Sequence, residues 1–196
     1  MEEAIVFSLV GKPTEEQVEG PFYPVIKPLD QDADLTVIQG REGRAQGQVI
    51  YLSGRVLNLK SEPIPEAQVE IWQANSSGRY THPSDTNPAP LDPNFQGYGV
   101  QITDAAGRYK FKTIKPKEYP IGGGRSRTPH VHFCITSKVK RHITQLYFEG
   151  EPLNEEDVIF KNVRNKESVL TKLMPPTKDM EPDDLVAVWD ITLGQM

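Results

Sequence analysis

The sequence predicts an all-β fold: a β-sandwich core with an N-terminal arm and a few short helices. Three observations carry this expectation. Short stretches of alternating apolar and polar residues recur from residue 48 onward, each bounded by Gly, Pro or Asp. Fifteen glycines and seventeen prolines among 196 residues make about one residue in six, against an average near 12%, too punctuated for a helical bundle. Helical periodicity is confined to two short stretches near the C-terminus.

Residues 1–47 read as an arm and 48–196 as the sandwich domain. Pro13, Pro21, Pro24 and Pro28 interrupt every candidate element in the arm, although Thr14 with Gln17 could cap one helical turn. Gln39–Gly47 reads as a loop. Val49–Leu57 is rich in β-branched and aliphatic residues. Val69 and Ile71 alternate with polar neighbours, as do Val100 and Ile102. Asp104–Gly107 is a turn, and in Arg108–Lys112 Tyr109 and Phe111 share one face. His130–Ile135 and Gln145–Phe148 are further strands, and Ala187, Trp189, Ile191 and Leu193 line one face of a last strand. Short helices are expected after Asn154–Asp157 and over Lys166–Met174.

Composition narrows the function classes. The 37% apolar and 25% charged residues suffice for one globular domain. A net charge of −5 argues against a nucleic-acid partner. Cys134 is the only cysteine, so neither an intramolecular disulfide nor a cysteine-built zinc site is available. The one apolar run near the start, Ala4–Val10, follows Glu2 and Glu3 rather than basic residues and is far shorter than a membrane span. A soluble cytoplasmic protein is expected.

The chemistry concentrates in Thr128-Pro-His-Val-His-Phe-Cys-Ile135. In a strand, His130 and His132 share a face about 6.6 Å apart, within reach of one metal ion, while Val131, Phe133 and Ile135 face the core. Residue types alone leave a pair of surface histidines as the alternative. The segment offers no carboxylate to complete a facial triad. His82 and His142 read as solvated. Tyr80 and Tyr119 lie in turns off any alternating face, and a bound cation can remove a phenol proton at neutral pH.

An ordered set of segments resembles the intradiol ring-cleavage dioxygenases. These are Gly20–Tyr23, Leu52–Val56, Pro65–Ala74, Gly78-Arg-Tyr80, Pro90–Phe95, Thr113–Pro116, Tyr119-Pro120, Arg127–Phe133 and Gln145–Gly150. The likeness is strongest to the branch that cleaves protocatechuate, and the chain has no room for the long helical region of the catechol branch. The resemblance implies a non-haem Fe(III) held by Tyr80, Tyr119, His130 and His132, and oxidative cleavage of a catechol by O2 to a cis,cis-muconate, with protocatechuate the expected substrate. It implies Tyr119 as the phenolate the substrate displaces, and Arg127 as a catalytic donor to developing negative charge. Gln145, Trp72, Gly20 and Pro21 are implied as substrate contacts, Gly20 and Pro21 from an element that can line a neighbouring subunit's site. Ile121 stands where protocatechuate enzymes often carry Trp, so the pocket wall departs from the pattern. No acidic residue between Gly122 and His132 offers Arg127 a local partner. Arg79, Arg108 and Arg125 are the candidates for a substrate carboxylate. A homo-oligomer is expected, because the arm lacks a core of its own. Two rivals stand beside this reading. One is a transthyretin-like or carboxypeptidase-regulatory-like binding module, which shares the glycine and tyrosine rhythm of Gly54–Tyr109. The other is a cupin-like HxH oxygenase, which would need a carboxylate after the HxH.

Overall fold

The computed structural model describes residues 11–194; the Ala4–Val10 run lies outside them. Eleven strands form among the described residues: β1 (Val49–Leu57), β2 (Gln68–Trp72), β3 (Tyr98–Ile102), β4 (Arg108–Ile114), β5 (Tyr119–Gly122), β6 (Arg125–Arg127), β7 (His130–Thr136), β8 (Arg141–Phe148), β9 (Leu170–Thr171), β10 (Leu185–Val188) and β11 (Ile191–Thr192). One sheet is built around β1, with β4 antiparallel on one side and β10 then β11 parallel on the other. The second has the order β3-β2-β7-β8-β9, and β5 and β6 make a separate hairpin. The all-β sandwich expected from the sequence is what forms.

The period-2 pattern explains the core. Leu52, Val56, Tyr109 and Phe111 from one sheet meet Val69, Ile71, Val131, Phe133, Ile135 and Leu146 from the other. The face of β7 that points away from this core carries His130, His132 and Cys134. On the neighbouring strands Trp72 stands opposite His132, and Tyr147 opposite His130. The site-bearing residues therefore occupy the outer face of the five-stranded sheet.

Several local expectations need correction. Residues 11–20 form no helical turn at Thr14: the Thr14 hydroxyl accepts from Thr192 N at 3.0 Å, and Gln17 N donates to Ile143 O. The arm thus follows the body, and its Leu35 and Ala45 sit in the main core. The last strand is broken between β10 and β11. The Asp190 carboxylate accepts Arg55 N at 2.9 Å in place of a backbone carbonyl, and Ala187, Trp189, Ile191 and Leu193 all remain buried. The helices reduce to two 3-10 turns, Phe160–Asn162 and Lys166–Val169, because β9 begins at Leu170. Among the described residues, no helix is long and apolar enough to cross a membrane.

Candidate metal centre and substrate cavity

Four side chains converge outside β7. His130 Nε2 lies 3.1 Å from His132 Nε2, 3.4 Å from the Tyr80 hydroxyl and 3.5 Å from that of Tyr119; His132 Nε2 lies 3.1 Å from the Tyr80 hydroxyl. The histidines are placed by strand pleat. Tyr80 is placed by a turn in which the Asn75 side chain caps Ser77 N and Arg79 N, and Asp85 accepts Tyr80 N at 2.7 Å. Gly78 has a φ of 80°, and a Cβ there would stand 2.4 Å from Glu118 O. Only glycine lets this turn lie against the segment entering β5, which brings the Tyr80 and Tyr119 rings to 5.3 Å.

The donor set fits a metal ion. Bond lengths of about 2.0–2.1 Å, typical of imidazole on a first-row ion, place adjacent donors roughly 2.9–3.4 Å apart for angles between 90° and tetrahedral. His130 Nδ1 donates to Thr128 O at 2.6 Å, which leaves the Nε2 lone pair facing the cluster. His132 Nδ1 is buried without a hydrogen-bond partner, and its ring is stacked on Trp72 at 4.8 Å. Burial, with Tyr119 nearby, pushes the Tyr80 phenol well above its ordinary pKa. Burial also raises that of Tyr119, against the pull of Arg127. Burial and the Arg127 charge push His130 well below the usual imidazole value, and burial and His130 do the same to His132. Protein surroundings alone thus keep all four donors neutral, and a cation is what would ionise the phenols. Among the described residues no group of three or more His, Cys, Asp and Glu gathers to hold a metal; the tyrosines distinguish this cluster.

Arg127 is buried beside it. Its Nε donates to Asp157 at 2.8 Å, and its Nη2 to Gln145 Oε1 at 2.6 Å and to the Tyr147 hydroxyl at 3.3 Å. The partner that the local sequence lacks comes from thirty residues away. Asp157 also accepts Thr128 N, Ile159 N and Phe160 N, so one carboxylate ties β6, the link from β6 to β7 and the Phe160–Asn162 turn together.

A cavity of about 670 Å³ opens onto Tyr119 and Arg127, with Pro21, Phe22 and Ile121 in its wall. A larger groove of about 820 Å³, between Pro28–Arg41 and Leu91–Gln96, holds none of the expected site residues. Pro21 and Ile121 are in this lining, whereas three other candidate residues lie outside it. Trp72 is behind His132, facing a separate small hollow. Gln145 is enclosed behind Arg127 and donates to Val18 O at 2.9 Å. Gly20 lies on this chain's own His132, where a Cβ would stand 3.2 Å from Cε1; its φ of 76° also favours glycine. Phe22 packs on Tyr80 at 4.7 Å. Gly20 and Phe22 of the arm thus pack on the donor cluster of their own chain.

The solvated reading of His142 is overturned. β8 turns it inward, and it is 1% exposed with Nδ1 3.2 Å from Glu16. His82 is half-buried, accepts from Ser84 N and packs near Phe22. Sequence reasoning missed Asp157, Tyr147 and Asp85, since each acts across a turn or between strands.

The fold is a β-sandwich that carries a tyrosine–histidine donor cluster outside its five-stranded sheet. The family model described as Dioxygenase matches residues 18–194. The chain belongs to the intradiol ring-cleavage dioxygenase family. It is similar to the protocatechuate 3,4-dioxygenase beta chain of Burkholderia cepacia, 42% identical over 158 residues, covering 76% of this chain and 66% of that one. It is 31% identical over 153 residues to hydroxyquinol 1,2-dioxygenase of Corynebacterium glutamicum, covering 71% of this chain and 47% of that one. The match spans less than two thirds of either relative. Among solved structures, the dioxygenase domain of a dioxygenase–carbohydrate-binding protein fusion from Streptomyces sp. SirexAA-E is 26% identical with a TM-score of 0.70, covering 93% of this chain and 99% of that one. The binding-module reading is not favoured.

Proposed function

We propose that this protein cleaves a catechol-type ring between its two hydroxyl-bearing carbons, at a non-haem Fe(III) held by Tyr80, Tyr119, His130 and His132. The ring and O2 combine into one cis,cis-muconate with both oxygen atoms retained, so no external reductant is needed. The observation that carries the reading is the convergence of two phenols and two imidazoles beside a buried arginine, with one of the phenols, Tyr119, and that arginine lining a cavity. The relatives named above, one acting on protocatechuate and one on hydroxyquinol, support the same reaction class.

Bound ferric iron supplies Lewis acidity that makes the chelated ring reactive towards O2. The rest falls to the chain's own side chains. Tyr119 lines the cavity, whereas Tyr80 is covered by Phe22, so Tyr119, once a bound cation has ionised it, is the phenol that would take a proton from an entering hydroxyl. Arg127 commits Nε and Nη2 to Asp157, Gln145 and Tyr147; Nη1 takes no part in these bonds and is available to oxygen charge that develops as the ring changes. Gly20–Phe22 close the back of the cluster against water. Self-association is part of the proposal, supported by Val25, Ile26 and Leu29, which stay exposed on the arm. Oxygen uptake equal to catechol consumed, with a ring-opened diacid as product, tests the activity. A metal-loaded protein that consumes no O2 with any catechol refutes it.

A further inference from the structure

We propose that Gln17 of the arm is a positioning residue for Arg127, acting through Tyr147 and Gln145, so that docking the arm completes the reacting end of the chain's own site. The inference rests on the catalytic role given to Arg127 above and extends it to a residue outside the donor cluster and the cavity lining.

A guanidinium is a planar fork, and a single anchored edge leaves that plane free to turn. Arg127 is anchored on two sides. Asp157 takes Nε at 2.8 Å, while Nη2 reaches Gln145 Oε1 at 2.6 Å and the Tyr147 hydroxyl at 3.3 Å. The direction of Nη1 therefore depends on which way Gln145 and Tyr147 point, and neither fixes itself. Turned end for end, the Gln145 amide would set its NH2 against the guanidinium, donor against donor. Its Nε2 donates to Val18 O at 2.9 Å, and this holds Oε1 toward Arg127. The Tyr147 hydroxyl accepts from Arg127, so its own proton must point elsewhere. Gln17 Oε1 accepts it at 2.8 Å, against 3.0 Å for Gln145 Oε1, which already serves Arg127 at shorter range.

Gln17 is in turn tied to β8 by backbone and side chain. Its backbone N donates to Ile143 O at 2.8 Å, and its Nε2 donates to Gln145 O at 3.1 Å and to Thr144 Oγ1 at 3.3 Å. One half-buried arm residue thus bridges the β8 backbone, receives the Tyr147 proton and anchors the stretch whose Val18 carbonyl holds Gln145. Thr144, Gln145 and Tyr147 are fully buried, so bulk water does not stand in for these bonds. Without the Gln17 acceptor, the Tyr147 hydroxyl turns to Gln145 Oε1 and competes with Arg127 for one oxygen.

The test is Gln17→Met, which keeps the side-chain length and loses both hydrogen-bonding ends, made in the parent and in the Arg127→Ala background. With the iron-loaded full chain and catechol, kcat is expected to fall about tenfold, less than the roughly hundredfold that a misplacement of about 1 Å costs. KM, iron content and the visible band are expected to stay at parent values, because Arg127 serves charge that appears only as the ring changes. In the Arg127→Ala background the same substitution is expected to change kcat by less than about twofold, since its route to the reaction is gone. In metal-free chains Gln17→Met should move the urea midpoint less in that background than in the parent, because Gln17 and Arg127 share Tyr147 and Gln145 as partners. Gln17→Leu carries the same expectations should Gln17→Met not fold. A kcat within about twofold of the parent, while Arg127→Ala loses its turnover, overturns the inference and leaves the role of Arg127 standing. So does an equal loss in both backgrounds, which is what general loosening of the site gives. Arg127→Ala at parental turnover with iron retained refutes the underlying reading, and this inference falls with it.

Discussion

Replacing Arg127 with alanine separates stability from chemistry. In the folded chain Arg127 is 5% exposed and Asp157 fully buried, so the substitution leaves a carboxylate without its cation in the interior. Breaking one side of such a pair costs about 3–5 kcal/mol. Asp157 keeps three backbone N–H donors, from Thr128, Ile159 and Phe160, which points to the lower end of that range. For a chain of this size the melting temperature should fall by about 2–4 °C per kcal/mol. Turnover should fall by about a hundredfold to a thousandfold, the usual effect of removing one donor to developing charge. Pairing Arg127→Ala with Asp157→Asn should recover part of the stability, with a coupling of about 1–3 kcal/mol, because the uncompensated charge is gone. It should recover none of the turnover. Urea unfolding measures the first and O2 uptake the second, with iron content followed in every variant. Arg127→Ala within about 1 kcal/mol of the parent in stability would refute the buried-pair argument. Turnover within about threefold, with iron retained, would refute the catalytic one.

Two further predictions concern residues away from the cluster. Burial holds the His142 imidazole below its ordinary pKa, against the pull of Glu16 at 3.2 Å, with Lys140 on the same carboxylate. Above about pH 6.5 both folded and unfolded chains keep His142 neutral. As pH falls below that, the unfolded chain binds the proton first, so stability declines toward the lowered folded value by at most about 1.4 kcal/mol per pH unit. His142→Gln should flatten the decline between pH 6.5 and 5 in urea titrations; an unchanged slope contradicts the argument. Glu70, buried on β2, accepts from the Tyr23 hydroxyl at 3.0 Å and also from Tyr98 and Lys27, which latches the arm beside Trp72. Glu70→Ala should cost about 1–3 kcal/mol for the orphaned tyrosine hydroxyl alone. It should also expose residues 20–27 to limited proteolysis, and a cleavage pattern identical to the parent's would count against the latch.

The sandwich was legible because alternation in β2, β4 and β7 reports directly which side chains face the core. The HxH pair was legible for the same reason: two residues of strand rise fix a common face. Tyr80 and Tyr119 were not legible from local pattern. Their meeting depends on a turn around Gly78 lying against Glu118, a contact between distant segments. Asp157 looked like a helix opener, and it does accept Ile159 N and Phe160 N, but its other oxygen serves Arg127 across thirty residues. Such long-range pairing has no local signature. His142 was misread because flanking charge suggested exposure, whereas strand pleat turned it inward between Arg141 and Ile143. The C-terminal strand was misread as continuous because its apolar alternation survives the break at Asp190.

The central claim is that two phenols and two imidazoles of this chain hold one ferric ion. The visible absorption spectrum of the purified protein, recorded with its iron content and compared with Tyr80→Phe and Tyr119→Phe, tests it most directly. One iron per chain with a broad phenolate-to-iron band that colours the protein burgundy, displaced when a catechol is added without oxygen and weakened or lost in either variant, is the predicted result. A pale protein that binds iron, or a coloured one whose band is unchanged in both variants, would contradict the claim.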